Sequence, residues 1–131
     1  MIRYPIDTDW IISYLHGFPR VVRRLDQLKD QGLAISVVSL AEPYEGIYDS
    51  TDPEGNERDL HDFLRGVTVI GIDADTCRLF GKERGRLRAA GRMVGDFDLL
   101  IGAIALQHEL VLLTNNRRHF ETIEGLRLDS A

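Results

Sequence analysis

The sequence predicts a single-domain α/β fold, a three-layer α/β/α sandwich in which a central parallel sheet of four to five strands lies between helices. Its 131 residues fit one domain of ordinary size, taken as residues 1–131. Short, almost wholly apolar stretches alternate with segments of helical periodicity. Uniformly apolar strands are typical of a sheet covered on both faces, and intervening helices favour parallel strands.

The first half of the chain predicts two strands and four helices. Residues 2–6 are an apolar strand, and "LAISVVS" at 33–39 is a second one, rich in β-branched residues. Helices are expected in chain order over 9–16, 19–31, 40–50 and 57–65. Gly32 suits the end of the second helix. The stretch "DPEGN" at 52–56 is expected to be a loop, because it combines Pro, Gly and Asn.

The second half continues the alternation. "VTVIGI" at 67–72 and "LVLLT" at 110–114 are the third and fourth strands, and "GLRLDS" at 125–130 is a candidate edge strand. Helices are expected over 73–91, within 95–109 after a short loop, and over 117–122. Because helical segments separate the strands, right-handed crossovers are expected, with helices on both faces of the sheet.

Composition narrows the function classes. A single cysteine, Cys77, excludes an intramolecular disulfide and is expected to be buried as a small apolar side chain. The longest apolar run, 99–106, is far shorter than the ~20 residues of a membrane span, so a cytoplasmic protein is expected. The net charge of −5 argues against general nucleic-acid binding. The basic stretch at 78–92, most of which lies in the predicted helix 73–91, is nevertheless a candidate RNA contact, through Arg84, Arg88 and Arg92.

Acidic residues collect where the strands end. In parallel α/β folds, ligands bind outside the carboxyl ends of the strands. The residues expected at that edge are Asp7, Thr8, Asp9, Glu42, Asp96, Asp98, Thr114, Asn115 and Asn116. Any one of them could simply cap a helix. Three converging carboxylates would raise one another's pKa unless a cation joined them. All-oxygen ligands favour Mg²⁺ or Mn²⁺, and such an ion suits phosphate-ester hydrolysis.

Four segments carry a resemblance to a known family. They are "IDTDWIISYL" at 6–15, "ISVVSLAEPYEGIY" at 35–48, "VGDFDLLIGAIAL" at 94–106 and "LLTNNRRHFETIEGLRL" at 112–128. Together they cover nearly the whole chain in order, and the chain resembles the PIN-domain ribonucleases. Within that superfamily it is similar to the VapC-type toxins of type II toxin–antitoxin pairs. The resemblance implies a PIN-like sandwich and a Mg²⁺-dependent endoribonuclease, with Mn²⁺ as the other possible cofactor.

The resemblance also implies roles for individual residues. Asp7 and Asp98 match the metal-binding acids, and Glu42 matches the acid that orients or deprotonates the attacking water. Asp96 is the additional acid of a "G-D-x-D" variant and completes the predicted catalytic set. Thr8, Thr114 and Asn116 are predicted to support the site.

Three residues depart from the family pattern. Asp9 replaces the usual Asn and adds charge beside the site, where it is expected to tune rather than carry the chemistry. Asn116 is neutral where many relatives have a fourth acid. Pro43 follows Glu42 directly, which a helix tolerates only in its first turn.

The implied partners are an RNA substrate (a transfer or ribosomal RNA), a cognate VapB-like antitoxin and a second copy of the chain. Operator DNA would be reached only through the antitoxin, and no membrane is involved. Apolar side chains on the early helices are candidates for the antitoxin groove, with burial in the core as the alternative. They are Trp10, Ile11, Tyr14, Tyr44, Ile47 and Tyr48.

Two other functions remain open at this point. One is a catalytically weak PIN-like module that acts through antitoxin and DNA complexes, although an intact acidic cluster argues against a dead site. The other is a phosphohydrolase of the haloacid-dehalogenase type, which also has a D-x-D motif after its first strand. That family needs a Thr two residues after the second Asp, and this chain has Ile11 there.

Overall fold

The computed structural model describes residues 4–130, and its centre is a five-stranded parallel sheet in the order β3-β2-β1-β4-β5. The strands are β1 (Tyr4–Ile6), β2 (Leu33–Ser36), β3 (Thr68–Ile70), β4 (Val111–Leu113) and β5 (Arg127–Asp129). The predicted fold class is confirmed, and the candidate edge strand is present as β5. The first two residues of the predicted strand 2–6 lie outside the described range.

Seven α-helices connect the strands within residues 4–130. They are α1 (Thr8–Leu15), α2 (Pro19–Leu28), α3 (Ala41–Tyr48), α4 (Pro53–Leu64), α5 (Ala74–Ala89), α6 (Asp96–Gln107) and α7 (Arg117–Phe120). After α2 a short 3-10 turn ends at Gly32, whose φ of 89° is the left-handed conformation that glycine adopts without strain. In the described part of the chain no helix is long and apolar enough to cross a membrane.

Two apolar cores lie on opposite faces of the sheet. Helices α1 to α4 cover one face, where Trp10 is fully buried beside Ile6 and Leu113. Helices α5 and α6 cover the other, where Leu112 packs with Leu99. Adjacent residues of β4 therefore serve different cores, because successive side chains of a strand point to opposite faces. This alternation is the physical basis of the three layers.

The predicted strand 33–39 is too long. Strand β2 ends at Ser36, and residues 37–40 form a 3-10 turn before α3. The hydroxyl oxygen of Ser36 accepts a hydrogen bond of 3.1 Å from the backbone N–H of Ser39, which closes that turn. A local side-chain hydrogen bond of this kind competes with sheet pairing. Here it stabilises the turn although Val37 and Val38 favour a strand.

The predicted loop at 52–56 is wrong. Helix α4 begins at Pro53, with Asp52 as its N-cap. The Asp52 carboxylate accepts the backbone N–H of Gly55 at 3.1 Å, and proline is well suited to the first helical position. The same residues that suggest a turn therefore start a helix.

Several single-residue expectations also have an outcome. Cys77 is exposed on α5, so its predicted burial is wrong. Pro43 is the third residue of α3, which agrees with the first-turn condition. Of the candidate groove residues, Trp10, Ile11 and Ile47 belong to the core, whereas Tyr48 is exposed.

Two glycine substitutions should have opposite effects on stability. A Cβ at Gly102 of α6 would lie 2.7 Å from Cδ1 of buried Ile123, whereas a Cβ at Gly81 of α5 meets nothing within 4 Å. We expect Gly102→Ala to lower the free energy of unfolding by about 1–3 kcal/mol through overpacking. Gly81→Ala should raise it by roughly 0.5–1 kcal/mol. Urea unfolding of both variants measures this, and equal effects would contradict the packing of α6 against Ile123.

Candidate active site

An acidic pocket lies at the carboxyl edge of the sheet. It brings together residues from four separate parts of the chain. Its lining residues are Asp7, Thr8, Asp9, Glu42, Phe97, Asp98, Ile101, Asn116 and His119. The convergence predicted for Asp7, Glu42, Asp98 and Asn116 is therefore present in the structure.

Three helix N-termini point their acids into this pocket. Asp7 is the N-cap of α1, Glu42 is the second residue of α3, and Asp98 is the third residue of α6. The unpaired N–H groups of a first helical turn carry partial positive charge, which stabilises nearby carboxylates. The fold thus places each acid where the backbone itself offsets part of its charge.

Asp7 is the most deeply placed of the acids. Only 3% of its surface is exposed, and its backbone N–H donates to the carbonyl of Leu113 at 2.9 Å. Its carboxylate accepts two further hydrogen bonds of 2.8 Å, one from the backbone N–H of Thr8 and one from the hydroxyl of Thr114. Asp7 is therefore both a helix cap and a fixed carboxylate between the two central strands.

Burial raises the pKa of Asp7 to about 6, against an ordinary value of 3.8, and the nearby charges of Asp9 and Asp98 add to the rise. The hydrogen bonds from Thr114 and Thr8 oppose it. The pKa of Asp9 is also raised, first by burial and then by Asp98. In the protein alone, the pocket therefore holds negative charge at a cost in free energy.

The donor set fits a hard divalent cation. The three acids offer oxygen ligands, and an ion would offset the burial and the neighbouring charges that together raise the pKa of Asp7. Within residues 4–130, no three His, Cys, Asp or Glu side chains are already gathered around one point as they would be around a bound metal. The fit thus rests on the chemistry and burial of these carboxylates.

Asp96 is not brought together with the other acids. It is absent from the pocket lining, its side chain is 81% exposed, and its carboxylate pairs with Arg84 at 2.6 Å. Residues two apart on a helix point about 200° away from each other, so Asp96 and Asp98 cannot face the same pocket through regular helical geometry. The catalytic role predicted for Asp96 therefore has no support from the pocket.

Arg84, predicted as an RNA contact, is occupied within the protein. Its guanidinium donates to the carbonyl of Val94 at 2.7 Å and to Asp96, and it lies over the ring of Phe80. These contacts attach the segment before α6 to α5. Arg88 and Arg92 are exposed, and their predicted contact with RNA stays a prediction.

His119, Phe97 and Ile101 line the pocket although the sequence did not single them out as site residues. Nδ1 of His119 lies 2.9 Å from Oδ2 of Asp98, and half of the Phe97 side chain is exposed. The only sequence signal for His119 is its place three residues after Asn116, where the single turn of α7 returns it to the pocket. The separation of the four histidines along the chain concealed this position.

This fold, with acids at the carboxyl edge of a five-stranded parallel sheet, defines a PIN domain. The PIN domain family model matches residues 4–126, and the chain therefore belongs to the PIN-domain family. The chain is 33% identical to the tRNA(fMet)-specific endonuclease VapC of Shigella flexneri, over 98% of both chains. It is 30% identical to ribonuclease VapC2 of Haemophilus influenzae, over 99% of this chain and 98% of that one.

Solved structures of VapBC complexes have the same fold as this chain. DNA-bound VapBC from Salmonella typhimurium superposes with a TM-score of 0.91 at 30% identity, over 99% of this chain and 98% of that chain. VapBC2 from Rickettsia felis, bound to a DNA fragment from its promoter, gives a TM-score of 0.90 at the same identity and coverage. The predicted resemblance to VapC-type toxins is confirmed.

Replacing Asp7 by Asn should stabilise the metal-free protein. The raised pKa means that folding binds a proton between pH 3.8 and about 6, so ionisation of Asp7 lowers stability as the pH rises through that window. The full cost, about 2–3 kcal/mol, is present above pH 6 and absent below pH 3.8. Urea unfolding in EDTA from pH 4 to 7.5 should show the gain of Asp7→Asn growing with pH. A gain that shrinks with pH would contradict this electrostatic cost.

Substitutions of Arg84 and Arg88, which lie on the same helix, should differ in their effect on stability. We expect Arg84→Ala to lower the free energy of unfolding by about 1–2 kcal/mol, because a largely buried carbonyl contact and an ion pair are lost. Arg88→Ala, on the same helix and exposed, should change it by less than about 0.5 kcal/mol. Thermal unfolding of both variants measures this. Equal stabilities would contradict the anchoring role of Arg84.

Proposed function

We propose that this chain is a metal-dependent endoribonuclease, the toxin of a VapBC-type toxin–antitoxin module. It acts in the cytoplasm, hydrolyses phosphodiester bonds of a transfer or ribosomal RNA and thereby inhibits translation. The observation that carries the proposal is the pocket itself, in which Asp7, Glu42 and Asp98 converge from three helix N-termini. The relatives named as VapC ribonucleases support the reaction class.

Asp7 and Asp98 are the residues that would hold Mg²⁺, or Mn²⁺ in its place. When bound, the ion supplies Lewis-acid stabilisation of the negative charge that builds on the phosphate. Thr114 holds Asp7 in one orientation through its hydroxyl, and His119 contacts one oxygen of Asp98, which leaves the other oxygen available. Fixed partners of this kind orient ligand carboxylates in metal sites.

Glu42 orients the attacking water and accepts its proton. It lines the same pocket and is exposed, so water reaches its carboxylate. In-line attack by water on the phosphorus places the leaving group opposite, and cleavage of the P–O3′ bond leaves a 5′-phosphate and a 3′-hydroxyl. The 3′ oxygen takes a proton from solvent water as it leaves, and Glu42 returns its proton to solvent.

The partners follow from the same assignment. The solved VapBC complexes support a cognate VapB-like antitoxin for this chain, with operator DNA contacted through that antitoxin. We also propose a homodimer, and RNA contact through exposed Arg88 and Arg92. The groove between α1 and α3, lined by Ile12, Leu15 and Pro43, is the surface we assign to the antitoxin.

Neutralising either metal-binding acid should abolish RNA cleavage while the fold is kept. We expect Asp7→Asn and Asp98→Asn to cleave a transfer-RNA pool at least about 100-fold more slowly than the wild type with Mg²⁺, because each loses a carboxylate that would hold the ion. Gel analysis of the cleaved RNA measures the rate, and circular dichroism monitors folding.

Asp26→Asn, an exposed acid on α2, is the matched control and should retain full activity. Cleavage by both site variants at the wild-type rate would refute the assignment. If the wild-type protein cleaves no RNA with Mg²⁺ or Mn²⁺, the binding-module alternative replaces it.

A further inference from the structure

Asp9 and Asn116 form a side-chain pair at the acidic pocket. Asp9 is the second residue of α1 and Asn116 is the N-cap of α7, so the pair joins two elements that are far apart in the chain. The amide nitrogen Nδ2 of Asn116 donates a hydrogen bond to Oδ2 of Asp9. Both residues line the pocket with Asp7 and Asp98.

The pair belongs to a longer chain of hydrogen bonds. The backbone N–H of Asn116 donates to the Thr114 hydroxyl oxygen at 2.9 Å, and that hydroxyl donates to Oδ2 of Asp7 at 2.8 Å. Asp7 and Asp9 are thus held by the same segment after β4. One oxygen of Asp9 is occupied by the amide, and its orientation is fixed by that contact.

The hydrogen bond alone does not require a carboxylate. An Asn at position 9 could accept the same N–H of Asn116 through its side-chain carbonyl, without adding charge to a pocket that already holds three acids. Among residues 4–130, Asp9 also has no Lys or Arg within salt-bridge distance. Within the described protein, the negative charge of Asp9 is offset by the N-terminus of α1, by the amide of Asn116 and by nearby His119, and not by an ion pair with Lys or Arg.

We propose that the Asp9–Asn116 pair supplies a further metal-binding carboxylate, that of Asp9, oriented by the amide of Asn116. The inference rests on the proposed function, since it adds a ligand to the same metal site. It also explains how the site retains four carboxylates, Asp7, Asp9, Glu42 and Asp98, although Asn116 is neutral. The pair has one negative charge, located on the α1 side of the hydrogen bond.

Metal titration without RNA tests the proposal. The full chain and its variants are titrated with Mn²⁺ and with Mg²⁺ by calorimetry and by thermal shift. We expect Asp9→Asn to weaken metal binding at least about tenfold, although an Asn–Asn hydrogen bond preserves the contact. The double variant Asp9→Asn/Asn116→Asp exchanges the two groups across one hydrogen bond and should bind within about threefold of the wild type.

The controls separate this inference from the proposed function. Asp26→Asn should bind metal as the wild type does, and Asp7→Asn should lose binding. Wild-type affinity in Asp9→Asn, together with lost binding in Asp7→Asn, would overturn the inference and leave the function standing. A double variant that binds no better than Asp9→Asn would also overturn it. Absence of any metal binding by the wild type would overturn both. Thermal unfolding in EDTA monitors the folding of every variant.

Discussion

The buried carboxylate of Asp7 is the constraint around which the site is organised. It lies between β1 and β4, the centre of the sheet, and its oxygens are held by Thr8 and Thr114. Burying a charge is expensive unless hydrogen bonds or a counter-charge stabilise it. Here the hydrogen bonds and the N-terminus of α1 supply part of that stabilisation, and the remaining cost appears as a pKa raised to about 6. Such a residue is poorly suited to a purely structural role.

The acids inside and outside the pocket differ in whether a basic side chain pairs with them. Arg84 neutralises Asp96 outside the pocket, whereas Asp7 and Asp9 have no Lys or Arg partner among residues 4–130. Asp7 and Asp9 thus lack an arginine or lysine partner, whereas Asp96, only two residues before Asp98 on α6, has one. Two arginines of the basic helix α5 make contacts within the protein. Arg84 pairs with Asp96, and Arg86 pairs with Glu83 at 2.8 Å, so neither is free to form an open phosphate-binding face.

Sequence reasoning succeeded where a local pattern coincided with the global fold. The apolar strands, the helices between them and the parallel direction of the strands all follow from the alternating pattern, and Gly32 ends its helical segment as expected. It failed where a single side chain decides between two local structures. Ser36 ended β2 early and Asp52 began α4 inside a predicted loop, because each side chain accepts a backbone N–H three residues on. Strand and helix propensities are averages over several residues, so they do not predict a single side-chain hydrogen bond of this kind.

By itself, the sequence determined the edge of the sheet at which the acids meet. Acids at the ends of parallel strands, or at the start of the helices on that side, meet at one edge, so the convergence of Asp7, Glu42 and Asp98 was predictable from their order, whereas their roles came from the family resemblance. Only the tertiary structure decided which neighbouring side chains join them. Helix phase turns Asp98 toward the pocket and Asp96 toward Arg84, and the turn of α7 returns His119 to Asp98. Side-chain direction depends on the angle at which each helix packs, and that angle is set by contacts between residues distant in the chain.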